Sequence, residues 1–224
     1  MKLIPSASLS RPAALLVLFC SFLFSTFALA DRLDNTFELK NTSRNLLFTK
    51  PIAALCPRNV GPTARVGDTA STALEYMAEA GNTSFLAAQF GLEGCSYIEL
   101  PDPVAPGATT TFDLRGPRSY NLFVYFMFLP TNDGFGAGPG MNIKQLRKLG
   151  WVDLKAYDAG TEGNDEDCAN IPGPQCGNTG EGFNSARSDV VDYVHAHPGF
   201  TGVGSLSAEE YGLAYPVAQI RRVN

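Results

Sequence analysis

Several familiar catalytic signatures are missing from the 224-residue chain: no G-x-S-x-G nucleophile elbow, no H-E-x-x-H pair and no phosphate-binding loop. Gly136-x-Gly138-x-Gly140 has the wrong spacing for a dinucleotide-binding turn. The basic excess needed to displace counterions from nucleic acid is also absent, with 17 Lys and Arg against 22 Asp and Glu. No apolar run reaches the roughly 20 residues that span a bilayer as a helix. No internal repeat and no linker divides the chain, which argues for one domain.

What is present begins with an N-terminal leader. Lys2 and Arg11 precede the apolar stretch Ala13 to Phe24, and Ala28-Leu29-Ala30 supplies a small-x-small exit. This is the pattern of a cleaved secretory signal over residues 1–30, with cleavage after Ala30. Phe19 before Cys20 is too bulky for a lipoprotein site. Removing the leader takes away Cys20, Lys2 and Arg11, so residues 31–224 keep four cysteines and a net charge of −7. An acidic exported protein suits cations or neutral ligands as partners.

The chain holds 22 glycines and 15 prolines, which punctuate it into short elements. Alternation at 36–41 predicts a strand, and Asn45 to Leu55 predicts a strand pair or an edge strand around Pro51. Asp68-Thr69 followed by 70–80 and Gly81 reads as a capped helix, and 83–90 as a second helical turn closed by Gly91. Beyond this the pattern is all strand: 97–100, 109–114, 151–157 and 215–223. The run Tyr120 to Leu129 is apolar on both faces and so belongs at the centre of a sheet. The expected fold class is mainly β, a β-sandwich with one or two short helices.

Two acidic loops stand at predicted strand ends, Pro130-Thr131-Asn132-Asp133-Gly134 and Tyr157-Asp158-Ala159-Gly160-Thr161-Glu162. Asp133, Asp158 and Glu162 could converge there, and gathered carboxylates select a hard cation such as Ca2+. The segment 158–169 is not an EF-hand, because it lacks an oxygen side chain at the third position and Glu at the twelfth. In an exported protein the four cysteines read as two disulfides. Cys168 and Cys176 flank a sharp Ile-Pro-Gly-Pro turn and are paired, which leaves Cys56 with Cys95. His195 and His197 share a face if extended, a weak pointer to a soft metal without a third ligand. Lys144, Arg147 and Lys148 read as a solvated face.

The segments F-L-P-T-N-D-G-F at 128–135, Y-D-A-G-T-E at 157–162, L-E-Y-M-A-E-A-G-N at 74–82 and C-A-N-I-P-G-P-Q-C at 168–176 resemble the spondin domain, in its bacterial secreted form. The resemblance spans about residues 35–223. It implies a C2-like antiparallel β-sandwich with calcium at one end, found in extracellular adhesion and matrix proteins. It places the calcium ligands on Asp133, Asp158 and Glu162. Glu162 stands where animal members have Asp, and Gly134 where they have an aromatic residue.

The resulting expectation is a secreted, non-catalytic, calcium-binding module that recognises an extracellular or cell-surface protein or glycan. Two alternatives use the same residues: a carbohydrate-active enzyme with Asp133 and Glu162 as its acid and base, and a structural envelope protein whose ion only locks loops.

Overall fold

The computed structural model describes residues 33–186, 191–213 and 215–224; the expected signal segment lies outside them. Among the described residues ten strands form the framework. They are β1 (Leu33–Asn41), β2 (Leu47–Phe48), β3 (Ile52–Cys56), β4 (Ser96–Glu99), β5 (Thr109–Gly116), β6 (Asn121–Leu129), β7 (Gly134–Asn142), β8 (Val152–Asp158), β9 (His195–Ala196) and β10 (Ala218–Arg222). Neighbours along the sheet run β4-β3-β6-β7-β8-β10-β1-β5, with β2 added to β6 and β9 to β8. All pairings are antiparallel. The sheet curls until β5 comes back beside β3 and β4, so it is nearly closed.

The alternation of β6 builds both sides of the molecule. Leu122, Val124, Phe126 and Phe128 point into the interior with Phe37, Leu39 and Phe112. Phe123, Tyr125 and Met127 point the other way, against Leu74, Met77, Leu86 and Phe90 of two covering helices. Burying each such side chain contributes roughly 1.5–3 kcal/mol, so a strand apolar on both faces sits where both faces are used.

Those helices are α1 (Thr72–Ala80) and α2 (Ser84–Leu92). The cap of α1 is Ser71, whose hydroxyl accepts the Leu74 N–H at 3.3 Å; the expected Asp68-Thr69 lies one turn too early. Gly81 closes α1 at φ +64 as expected. By contrast α2 runs through Gly91 to Leu92, with Glu93 as its C-cap, because Leu86, Ala87 and Phe90 bury one face and hold it.

Helical content also continues past that point, in α3 (Ile143–Leu149) and α4 (Ala208–Tyr211). The glycine-rich run 134–142, to which the sequence pattern assigned no element, is a strand. A Cβ at Gly136 would collide with the Phe126 ring, and one at Gly140 would lie 2.9 Å from Phe123. Glycine in β7 makes room for the aromatic side chains of β6.

The long loop after β8 is tied down. Ile171, Cys176 and Leu206 form a small core of their own, and Phe183 stacks on Tyr76 with centroids 3.8 Å apart. The Asn184 N–H donates to Glu79 Oε2 at 3.0 Å. Two disulfides join Cys56 to Cys95 and Cys168 to Cys176.

Candidate metal centre

The turn from β6 into β7 is fastened by Thr131, whose hydroxyl donates to the Phe128 carbonyl at 2.7 Å and accepts the Gly134 N–H at 3.0 Å. It delivers Asp133 to the end of the sheet. Gly134 pairs with Asp158 in the β7–β8 register, so the two aspartates occupy adjoining strand ends. The chain then turns through Gly160 at φ +69, a conformation that favours glycine, and folds back over Asp133.

That return wraps one carboxylate oxygen and leaves the other. Asp133 Oδ2 accepts the Thr161 N–H at 2.8 Å, the Glu162 N–H at 3.0 Å and the Thr161 hydroxyl at 3.2 Å. Asp133 Oδ1 is buried and has no hydrogen-bond partner. Asp158 Oδ1 accepts the Gly160 N–H at 2.9 Å, and its Oδ2 accepts Asn164 Nδ2 at 2.6 Å. Asp133 and Asp158 are 0% exposed and Glu162 1%.

Burial, reinforced by the neighbouring Asp158 charge, pushes the Asp133 carboxyl up to about 7 against the opposing pull of its three donors. Two buried carboxyls this close resist sharing negative charge unless a proton or cation intervenes.

Both histidines reach the same place, which their spacing alone did not reveal. The β8–β9 pairing sets His195 opposite Asp158. His197 packs on Gly134, where a Cβ would lie 2.8 Å from its Cδ2. Its Nδ1 accepts the Gly199 N–H at 3.0 Å, and its Nε2 is buried without a hydrogen-bond partner. Burial lowers its pKa to about 4, outweighing the opposite influence of Asp158. A two-residue strand carries too little periodicity to be read from sequence, so the role of this segment was missed.

Glu166, 4% exposed, is also part of this end. Its oxygens accept the Thr201 N–H and hydroxyl and the Gly202 N–H, so it clamps loop to loop.

The donor set fits a hard cation: buried carboxylate oxygens, one of them lacking any donor. Asp133, Asp158 and Glu162 are all buried at this end, but their ligand atoms do not all lie within 4.8 Å of one another. Among the described residues the one group of three or more His, Cys, Asp or Glu with ligand atoms all within 4.8 Å of one another is Cys56, Glu93 and Cys95. Its sulfurs are joined in a disulfide, which removes them as ligands. No protein-family model matches the chain, and no curated protein matches it significantly.

Proposed function

We propose that the chain is a secreted, non-catalytic module of the spondin-domain type that binds Ca2+ between Asp133, Asp158 and Glu162 and presents that loop end to an extracellular or cell-surface protein or glycan. The observation that carries the reading is Asp133 Oδ1, a buried carboxylate oxygen without a donor beside a second buried carboxylate. Bound calcium would supply positive charge to this end and tie the β6–β7 turn to the loop after β8.

The residues have distinct parts in this scheme. Loop amides anchor Asp133 by one oxygen, Asn164 and Gly160 orient Asp158, and Glu162 arrives on the same strip of backbone that donates to Asp133. Two disulfides suit an oxidising compartment, and among the described residues no helix is long and apolar enough to cross a membrane.

Calorimetric titration of the chain from Asp31 onward tests the reading. Extracellular modules bind calcium as weakly as about 10⁻⁴–10⁻³ M, so the titration must reach that range. Heat of binding in the native protein that disappears in Asp158→Ala is expected. No binding in the native protein would sink the calcium reading, and turnover of a polysaccharide lost in Asp133→Asn would turn it toward the enzyme.

A further inference from the structure

The opposite end of the sandwich carries the reverse charge. Arg222, the last residue of β10, is 6% exposed, yet its Nε–H is buried with no hydrogen-bond partner. Arg118, between β5 and β6, and Lys144, Arg147 and Lys148 of α3 surround it and wall a recess of about 250 Å³. A second recess of about 500 Å³ shares Lys144 and Lys148 and adds Arg58. Neither recess is lined by an acidic side chain. Arg115 and Arg221 have carboxylate partners; among the described residues none is found for the six cations of the two recesses.

Such an arrangement is unfavourable by itself. A buried guanidinium N–H without an acceptor and several like charges around one recess repel one another until an anion enters. Burial, then the charges of Arg118 and Arg147, lower the pKa of Arg222. Arginine forks and lysine ammoniums from separate elements match an anion with several acceptor oxygens on different sides.

We propose that this end of the molecule is a binding site for a tetrahedral oxyanion, a phosphate or sulfate group, with Arg222 as its buried anchor and Lys144 and Lys148 linking two adjacent subsites. It lies at the start of β6, where Asn121 and its β7 partner Asn142 line the second recess. The nine-residue strand separates it from the candidate metal centre by roughly 26 Å, so it stands apart from the calcium reading.

The disulfide-bonded chain is titrated with inorganic sulfate, inorganic phosphate and a sulfated polysaccharide, heparin, with desulfated heparin as control. At least one charged probe should bind, and raising the salt should weaken it. Arg222→Met should weaken binding by about tenfold or more. The double variant Lys144→Gln, Lys148→Gln changes only exposed side chains and should weaken it severalfold even if Arg222→Met fails to fold.

A gain in affinity from inorganic ion to heparin would assign the site to an ester group displayed on a polymer, through simultaneous occupation of both recesses. No gain would assign it to the free ion. Absence of binding by every probe, or affinity unchanged in the double lysine variant, would overturn the proposal. A calcium chelator should leave the affinity unchanged.

Discussion

His195 stands opposite Asp158 across the β8–β9 pair, with its Nε2 3.4 Å from Asp158 Oδ1. The carboxylate is therefore touched by an imidazole on one side and held by Gly160 and Asn164 on the other. Because those two donors suffice to orient it, His195→Ala should fold and keep calcium affinity within about fivefold of the native protein. Calorimetry on that variant decides it, and abolished binding would give the imidazole a larger part.

Asp133→Asn separates the cost of the acidic cluster from its use. The amide oxygen can still accept the loop N–H groups, and the like charge beside Asp158 is gone. Above pH 7 and without calcium the variant should be more stable than the native protein by on the order of 1 kcal/mol or more. In calcium the order should reverse, as seen by urea unfolding with and without chelator.

Two opposite titrations meet at this end. Asp133, raised from 3.8 to about 7, takes up a proton on folding, so its stabilising share is lost as pH rises through that range. His197, lowered from 6.5 to about 4, gives one up, so its share is lost as pH falls through its own range. Without calcium the two slopes oppose each other between about pH 4 and 6.5. A bound cation holds Asp133 ionised and removes one of them. Stability in calcium should then rise with pH more steeply, by up to about 1.4 kcal/mol per pH unit relative to the calcium-free protein. Urea midpoints across that window with and without calcium measure the difference.

The disulfides differ in the length of chain they close, 39 residues for Cys56–Cys95 and 8 for Cys168–Cys176. On chain entropy their removal should cost about 4 and about 2.5 kcal/mol. Paired Cys→Ser variants compared by denaturant unfolding test the order. Loss of the shorter bridge should act on the loop that carries Ile171 more than on the sheet.

The parts of the fold that were legible are those where one physical demand dominates. β6 announces itself because the eight consecutive residues Leu122 to Leu129 serve two apolar faces, and α1 because Gly81 must adopt a left-handed conformation. β7 was hidden because its glycines answer to the aromatic rings of the neighbouring strand, a tertiary demand with no trace in local pattern. α3 was hidden because only Ile143 and Leu146 mark its buried side among basic residues. At the acidic end, carboxylates at strand exits could be read from spacing. The arrival of His195 and His197 could not, since it depends on a register set by a chain that returns more than thirty residues later.

The near closure of the sheet leaves β4 and β5 facing one another across a gap that includes Asp34, Asp113, Arg115 and Tyr97. Open β-edges are templates on which a second chain can add a strand, and charged side chains blunt them. Here each edge is shadowed by the other, and the ion pair of Asp34 and Arg115 lies along the gap. A framework made of one long antiparallel sheet thereby offers its neighbours little backbone on which to polymerise.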